Sequence, residues 1–371
     1  MELRTTDTIG SALLTARLTY ACHMSEEVEA SRRGAKGHPR SGPSIGDVAR
    51  LAGVSAQTVS RVSTGSQKVL PSTRDRVLDA MQQLGYSPNH AARALRMGNF
   101  RSIGLIAHQV IRTGESRTIE AVIEAARLRG YSVSLVDVDS PSSGDVSAAV
   151  QGLTHQSIDG LVIIRAETAT PATLALPANL PVAVSDSRFI GHHPAVGADQ
   201  VGGSRAAVEH LLGLGHRTVH HIAGPEDSGP AELRATAWAD CLRTAGCTVP
   251  PMLRGDWSAN SGYELGRRLA VRNDVTAVFA ANDEMACGLI HALFEAGRQV
   301  PRDVSVVGFD DIELSEHIWP PLTTVRQEFH QIGSELVELI MRQLKDRTPM
   351  TGYHSSVPAP LIRRKSTAPP S

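Results

Sequence analysis

The 371-residue sequence has few cysteines, few aromatic residues and no long apolar run. Four cysteines in a chain of this length do not make a disulfide framework, and they are typical of a reducing compartment. No apolar run approaches the roughly 18 residues that a membrane helix requires. Polar residues at positions 15–19 interrupt the apolar start of the chain, so a secretory signal is not expected. We therefore expect a cytoplasmic protein without a membrane partner.

The motifs of cofactor binding and catalysis are also missing. Gly213 and Gly215 follow a predicted helix instead of opening one, so they are not a dinucleotide fingerprint, and the sequence has no phosphate-binding Walker motif. No nucleophile elbow occurs among the many Ser, His and Asp residues. Cys241 and Cys247 lack the further ligands that a zinc site needs. We expect no enzyme activity, no cofactor and no metal.

Charge is distributed unevenly although the net charge is only −1. Residues 1–98 contain 13 Lys and Arg against 8 Asp and Glu, whereas residues 99–371 contain 24 against 30. The length predicts two or three domains, and a basic head on an acidic body suggests that the head binds a polyanion. Residues 24–43 are charged and poor in large apolar groups, so residues 1–43 are predicted to be a disordered leader.

Three short helices are predicted after Pro43. Ser44 and Asp47 have the spacing of a capping box, and the apolar residues from Ile45 to Ala52 recur at helical spacing. After Gly53, Ser55 is placed to cap a second helix, and the two helices with their short turn are typical of a helix-turn-helix. Ser72 is predicted to cap a third helix, whose apolar stripe is Val77, Leu78, Met81 and Leu84.

The second helix exposes side chains that suit a DNA groove. Gln57 can pair with adenine and Arg61 with guanine, the hydroxyl of Ser60 suits a phosphate, and small Ala56 at the helix start lets the backbone approach one. The alternative is that a polar helix of a three-helix bundle is simply a solvated surface. The pattern alone does not decide between these interpretations.

The segment that follows, residues 87–99, begins Ser87-Pro88-Asn89 and contains two adjacent alanines. Pro88 suits the first position of a helix, but so short a helix is marginal in water on its own. The segment is therefore either a plain linker or a helix that forms only against a partner.

From Ser102 onward, short apolar runs alternate with helical stretches in two successive series, which predicts two parallel α/β units. Ligands in such sheets bind beyond the carboxyl ends of the strands. Polar or aromatic residues follow several of these ends, and they are Asp186, Arg234, Trp257, Asn282 and Asp310. Carboxylates, an amide and a guanidinium around an aromatic plane are typical of sugar sites. Each residue alone could instead be a helix cap, a turn former or part of the core.

The sequence from Ile45 to Val62 (IGDVARLAGVSAQTVSRV) resembles the headpiece of the lac/gal repressor family, and so do LGYSPN at 84–89 and AAR at 91–93. The stretches GPEDSGPAELR, GDWSANSG, FAANDEMA and VGFDDIELSEHIWPPLTTVRQEF resemble the body of the same family. The resemblance covers about residues 44–365. It implies an α/β protein with a three-helix helix-turn-helix headpiece, a hinge helix, and a two-subdomain effector domain like a periplasmic binding protein.

The resemblance implies that Ala56, Gln57 and Arg61 contact the major groove while Thr58 and Ser60 hold phosphates. Ala56 departs from the tyrosine of the lac member, so the two need not prefer the same operator. The resemblance also implies that paired hinge helices enter the minor groove, where Leu95 wedges between base steps and Arg93 adds a contact. The complete set of expected DNA-binding residues is Ser44, Ser55, Ala56, Gln57, Thr58, Ser60, Arg61, Asn89, Ala92, Arg93 and Leu95.

In the body, the resemblance implies that the five strand-end residues contact an effector and that Phe329 lines its pocket. Trp257 is more similar to the galactoside-sensing members than to the purine-sensing ones. His108 and Gln109 differ from the lac member, so the ligand's second moiety is open. The sequence ends at Ser371 without a tetramer-forming leucine heptad, so a homodimer is expected.

The expected domains are a leader (1–43), a headpiece (44–86), a hinge helix and linker (87–99), an effector and dimerisation domain (100–365) and a disordered tail (366–371). Within the effector domain, the N-subdomain spans about 100–198 and 327–353, and the C-subdomain about 199–326 and 354–365. The function expected is a repressor that a galactoside-like sugar releases from double-stranded operator DNA. Alternatives are a sugar-binding transport receptor, an α/β enzyme, and a regulator that a non-sugar corepressor or a protein partner controls.

Overall fold

A computed structural model describes residues 42–87, 99–138, 143–164, 176, 179–185 and 193–371. The chain divides into two compact units, residues 1–90 and 91–371, which are described separately below. Most of the expected leader and of the segment 87–99 lies outside the described residues. Within the described part of the chain, no helix has both the length and the apolar character needed to cross a membrane.

The described part of the first unit, residues 42–87, contains three helices around one small core: α1 (Ile45–Ala52), α2 (Ala56–Ser63) and α3 (Pro71–Leu84). The predicted capping box is present, because the Ser44 hydroxyl accepts from the backbone N–H of Asp47 and the Asp47 carboxylate accepts from the backbone N–H of Ser44. Gly53 ends α1 with φ of 64°, a left-handed conformation that favours glycine. Val48, Val59 and Val77 are fully buried where the three helices meet.

The start and the stripe of α3 differ from the prediction. The helix begins at Pro71, not after Ser72, and its N-cap Leu70 makes no side-chain capping bond. Proline at the first position supplies a fixed helical φ, so a polar cap is not required there. Leu78 is 49% exposed, and Ala80 takes the buried position in its place, one turn after Val77.

The residues described in the second unit form two lobes, each built on a six-stranded sheet. The N-lobe sheet has the order β11-β5-β4-β3-β1-β2, and all its paired strands are parallel. Its strands are β1 (Ser102–His108), β2 (Ser132–Val138), β3 (Gly160–Ile164), β4 (Val182–Ser185), β5 (Ala195–Ala198) and β11 (His354–Val357). Helices α4 (Thr113–Leu128), α5 (Ser143–His155) and α11 (Phe329–Asp346) belong to this lobe.

The C-lobe sheet has the order β12-β10-β9-β8-β6-β7, and only β12 runs antiparallel to its neighbour. Its strands are β6 (His220–Ala223), β7 (Leu253–Arg254), β8 (Ala277–Ala280), β9 (Ser305–Asp310), β10 (Thr323–Arg326) and β12 (Leu361–Ile362). The helices are α6 (Gln200–Gly213), α7 (Gly229–Thr244), α8 (Ala259–Ala270), α9 (Asp283–Glu295) and α10 (Leu314–His317). Strands buried on both faces explain the continuous apolar runs of the sequence.

Within the described residues, the chain passes between the lobes three times: at residue 199, at 327–328 and at 358–360. We call these the crossover segments. They lie side by side, because the Asp199 N–H donates to the Val357 carbonyl (2.8 Å) and the Arg326 N–H donates to the Pro360 carbonyl (2.9 Å). A rotation of one lobe against the other must therefore deform these three segments together.

One predicted subdomain boundary is wrong. Residues 354–357, assigned from the sequence to the C-subdomain, form β11 at the edge of the N-lobe sheet, where they pair with β5. The chain crosses lobes only after this strand, because its edge position satisfies backbone groups of β5.

The expected disordered tail is ordered. Ser366 is fully buried, its hydroxyl donates to the Val306 carbonyl (2.6 Å), and it accepts from the Thr323 N–H (2.8 Å). These polar groups explain why a segment with little apolar surface is held against the C-lobe sheet.

Candidate functional site

The described candidate DNA-binding residues surround the start of α2. Ser55, Ala56, Gln57 and Arg61 are exposed, and Thr58 and Ser60 are half-buried. The Ser55 hydroxyl caps the helix by accepting from the Thr58 N–H (3.2 Å). The first turn of α2 carries no acidic residue, so the positive end of the helix dipole is not neutralised there. This surface can therefore hold a phosphate while Gln57 and Arg61 extend beyond it.

Ser44 is placed one helix earlier, and its hydroxyl is already engaged with the Asp47 side chain (2.7 Å). These hydrogen bonds from Ser44, above all from its side chain, hold the pKa of Asp47 below the usual value. The remaining expected DNA contacts, Asn89, Ala92, Arg93 and Leu95, lie outside the described residues, as does the expected effector contact Asp186.

The second candidate site is the cleft between the lobes, where two cavities meet. The first cavity, of about 260 Å³, lies between Glu115, Thr118 and Phe329 of the N-lobe and Gln200 and Arg234 of the C-lobe. The second, of about 320 Å³, contains the remaining described effector candidates, Trp257, Asn282 and Asp310. Both are lined by Gly114, Glu115, Arg234 and Gln327.

Arg234 lies in the first turns of α7 and is only 2% exposed. Its Nε donates to the Gln200 side-chain oxygen (2.7 Å), and its Nη1 lies 3.5 Å from the Asp310 carboxylate and donates to the Ala281 carbonyl. The guanidinium carbon lies 3.7 Å from the ring centroid of Phe309. A buried cation stacked on an aromatic face and paired with a carboxylate is held in one orientation toward the cleft.

Trp257 follows β7 in a strained backbone conformation, with φ of 75°. It is 8% exposed, and its ring centroid lies 5.5 Å from the Arg234 guanidinium carbon. The Asn282 amide donates to the Trp257 carbonyl (2.9 Å) and to Glu284 (2.8 Å), while its oxygen caps α9 at Met285 (3.0 Å). Asn282 is thus both a helix cap and the support that fixes the tryptophan loop.

Asp310 ends β9, is 7% exposed and has φ of 108°, far from the conformations that non-glycine residues prefer. Its carboxylate accepts from the Gln327 side chain (2.6 Å). Phe329 begins α11, is half-buried, and lines the first cavity near Gly114. Strained backbone at Trp257 and Asp310, both facing one cavity, is typical of a functional site.

The sequence did not indicate several residues of the cleft. Glu115 is 2% exposed and lines both cavities, although nothing in the pattern of α4 distinguishes it from an ordinary helix residue. The Thr113 hydroxyl donates to Glu284 across the mouth of the second cavity, which links the two lobes. His108 and Gln109, considered from the sequence as possible cleft residues, line neither cavity; His108 instead bonds the Val138 carbonyl (2.8 Å).

Both units match known families. Residues 44–89 match the bacterial regulatory proteins of the lacI family, and residues 208–367 match a periplasmic binding protein-like domain. The chain is 35% identical over 335 residues to the lactose operon repressor of Escherichia coli K12, and the match covers 88% of this chain and 91% of that relative. It is 30% identical over 308 residues to the ribose operon repressor of the same organism, and the match covers 81% of this chain and 93% of that relative.

Solved structures agree with these relatives. The lac repressor dimer bound to operator and the anti-inducer ONPF has a TM-score of 0.79 and 33% identity, covering 88% of this chain and all of that one. The complex of the transcriptional regulator CelR with cellobiose has a TM-score of 0.65 and 29% identity, and the match covers 87% of this chain and 99% of that one. These relatives are regulators of transcription and not enzymes. The chain therefore belongs to the lacI family of bacterial regulatory proteins and is a DNA-binding transcriptional regulator.

Proposed function

We propose that this protein is a homodimeric repressor that an uncharged sugar, galactoside-like in its main ring, releases from operator DNA in the cytoplasm. The observation that supports a sugar as the effector is that Trp257, Arg234 and Asp310 line one cavity between the lobes. The apolar face of a pyranose stacks on an aromatic plane, and its hydroxyls take hydrogen bonds from guanidinium groups and give them to carboxylates.

The charge of the two cavities supports an uncharged ligand. Their described lining residues include five carboxylates against two guanidinium groups: Glu115, Asp199, Asp256, Glu284 and Asp310 against Arg112 and Arg234. A phosphate or a sugar acid would enter this negative field at a cost, whereas a neutral saccharide would not. The cellobiose complex of CelR, a relative of similar fold, is in line with a saccharide in such a cleft.

For the DNA side, we propose that Gln57 and Arg61 contact base edges and that Ser44, Ser55, Thr58 and Ser60 hold the backbone. Ala56 would lie close to the groove without specifying a base. Asn89, Ala92, Arg93 and Leu95 are proposed to act in the minor groove when two hinges pair. A dimer, as in the lac repressor structure, would place two headpieces on a pseudo-palindromic operator.

We propose that Asp186, Arg234, Trp257, Asn282, Asp310 and Phe329 hold the effector. By linkage, a sugar that lowers operator affinity must itself bind less tightly to the DNA-bound dimer. A corepressor-type regulator, in which the ligand raises operator affinity, differs only in the sign of this coupling.

The test is a fluorescence-anisotropy titration of the protein onto a pseudo-palindromic operator from its own upstream region, at fixed salt concentration. The titration is repeated with lactose, methyl β-D-galactopyranoside, cellobiose, D-ribose and galactose 6-phosphate. Release by a neutral sugar and not by the phosphorylated one is expected. Tighter operator binding with a ligand would replace the repressor–inducer mechanism by the corepressor mechanism, and a response to the phosphosugar alone would contradict the uncharged effector.

A further inference from the structure

Four side chains form a closed ring of polar contacts at the floor of the cleft. The Arg234 Nε donates to the Gln200 oxygen (2.7 Å), and the Gln200 amide donates to the Gln327 oxygen (3.1 Å). The Gln327 amide then donates to Asp310 (2.6 Å), whose same oxygen lies 3.5 Å from Nη1 of Arg234. We call these four residues the polar ring.

The two glutamines of the polar ring lie at the crossover segments. Gln200 is the first residue of α6, directly after the crossover at residue 199, and Gln327 belongs to the crossover between β10 and α11. The remaining two members, Arg234 and Asp310, belong to the C-lobe and face the cavities. The ring thus joins two crossovers that are 127 residues apart in the sequence.

The polar ring also separates the two cavities. Gln200, Arg234 and Gln327 line the first cavity, whereas Arg234, Asp310 and Gln327 line the second. A ligand in either cavity, or one that spans both, therefore lies within reach of residues of the ring. A hydroxyl that bonds Arg234 or Asp310 competes with the glutamines for the same donor and acceptor positions.

We propose that the polar ring couples the effector cavities to the crossover segments, with Gln200 and Gln327 as the positioning residues of the allosteric response. The effector part of this proposal rests on the proposed function. In the ring as observed, both crossovers are held in one relative position. A ligand that withdraws Arg234 or Asp310 from a glutamine releases that restraint, so the lobes rotate more easily about the crossovers.

An isosteric variant separates this role from simple support of Arg234. In Gln200→Glu, a side-chain oxygen still accepts from the Arg234 Nε, but no N–H remains to donate to Gln327. If Gln327 flips to donate to residue 200, its oxygen then faces the Asp310 carboxylate, so one ring contact is lost in either case. Gln331→Glu is the matched control, because Gln331 is exposed on α11 and bonds only Glu335 (2.8 Å) among the contacts described for it.

The first measurement needs no ligand: amide hydrogen exchange of full-length wild type, Gln200→Glu and Gln331→Glu. Gln327 belongs to the other crossover and Arg326 is the last residue of β10 before it; the Arg326 amide donates to the Pro360 carbonyl and the Gln327 amide to the Asp310 carbonyl. In Gln200→Glu we expect them to exchange about two- to tenfold faster, the factor that corresponds to loss of one net hydrogen bond. Exchange equal to that of wild type and of Gln331→Glu would overturn the proposal.

The second measurement is operator affinity of the same proteins with and without lactose or methyl β-D-galactopyranoside, whichever releases the wild type. Gln200→Glu should bind operator more weakly than wild type without sugar, because the same restraint on the crossovers is released, and the ratio between the two conditions should fall at least about fivefold, toward one. An unchanged ratio would overturn the coupling role even if exchange is faster. If no sugar releases the wild type, the proposed function fails, and hydrogen exchange alone then decides whether the ring ties the crossovers together.

Discussion

Gly224 lies directly beneath the indole ring of Trp257. A Cβ atom built on Gly224 would lie 2.4 Å from Cζ2 of the ring and 2.5 Å from Cη2. The backbone of Gly224 is not in the left-handed region, so the absence of a side chain here serves packing and not conformation. Glycine at the end of β6 is thus what allows the tryptophan ring to lie flat in the cleft.

We expect Gly224→Ala to displace the Trp257 ring, because a rigid ring and a backbone-attached methyl group cannot both occupy this space. The variant should bind the effector sugar about tenfold more weakly or worse and lose roughly 1–3 kcal/mol of stability. Operator affinity without sugar should stay close to that of the wild type. Calorimetric titration with the sugar that releases the wild type from operator measures the first effect, and thermal unfolding measures the second.

Gly152→Ala is the matched control, since Gly152 lies on the exposed side of α5 and a Cβ atom added there would have no other atom within 4 Å. Trp257→Ala should weaken sugar binding in the same way as Gly224→Ala. Normal sugar binding by either Gly224→Ala or Trp257→Ala would show that Trp257 is only part of the C-lobe core.

Arg61→Ala tests whether α2 contacts bases. Loss of a bidentate contact to guanine should weaken specific binding by about 1–3 kcal/mol and relax the preference at one base pair of each half-site. Arg76→Ala, which removes an exposed arginine of α3, should change affinity similarly for all operator sequences or not at all. Both variants are compared over a panel of operators with single base-pair substitutions at one salt concentration. An unchanged sequence preference for Arg61→Ala would remove Arg61 from base recognition.

The sequence predicted the local elements where one physical rule dominated. The capping box at Ser44 and the apolar runs of β1 and β3 are confirmed because helix capping and strand burial depend on neighbouring residues. The start of α3 was predicted incorrectly because Ser72 is a good cap, yet Pro71 begins the helix without one. Competing local signals of this kind are not resolved by pattern alone.

The residues of the cleft could be predicted from the sequence only in part. The rule that ligands bind at the carboxyl ends of parallel strands indicated Trp257 and Asp310, and both line the second cavity. Their contact with an effector stays a prediction. Gln200 and Gln327 were missed because their partnership depends on how the crossovers meet, and this follows from the sheet order rather than from either residue's neighbours.

The ordered tail predicts a loss of stability on substitution of Ser366. Its hydroxyl bonds both the Val306 carbonyl and the Thr323 N–H in a fully buried position. Ser366→Ala leaves both groups without this partner, so the free energy of unfolding should fall by about 1–3 kcal/mol. Removal of exposed Ser371 alone is the control and should change nothing. Urea unfolding that is equal for wild type and Ser366→Ala would mean that the tail is not held as described.

Buried and half-buried histidines of the C-lobe predict instability in acid. Burial lowers the pKa of His210, His216 and His220, and it lowers the pKa of His221 to about 3. His221 lies between Trp238 and Phe279 with ring centroids 5.1 and 4.8 Å away. The histidines bind a proton more tightly in the unfolded chain than in the folded chain. Their contribution to the free energy of unfolding is therefore complete above about pH 6.5 and is lost as the pH falls toward 3.

His221→Gln removes up to one proton from the acid unfolding, so the slope of the unfolding free energy against pH should fall by up to about 1.4 kcal/mol per pH unit. His317→Gln, at an exposed position, is the control and should leave this slope unchanged. The measurement is urea unfolding at several pH values between 4 and 7. A pH dependence of the same slope in wild type and His221→Gln would exclude His221 as one of the groups responsible.

Asp283 gives the opposite pH dependence. It is fully buried, and its carboxylate accepts from the Ile312 N–H (2.9 Å), the Ser315 hydroxyl (2.7 Å) and the Thr324 hydroxyl. Burial, with a further contribution from the charge of Asp310, raises the pKa of Asp283 to about 8. The folded chain therefore binds this proton more tightly than the unfolded chain, and stability should decline as the pH rises from about 4 to 8.

Asp283→Asn replaces the titratable carboxyl group by an amide and keeps the shape of the side chain. The amide oxygen can accept from Ile312 and Ser315, and the amide N–H can donate to the Thr324 oxygen, so the three contacts of the protonated carboxyl survive. The variant should match the wild type near pH 5 and exceed it in stability near pH 8, whereas exposed Asp79→Asn should follow the wild type throughout. The unfolding free energies are compared at both pH values, where acid-labile histidines affect all three proteins equally. A deficit of Asp283→Asn that grows with pH would show that the ionised carboxylate, not the neutral acid, holds the loop that follows Asp310.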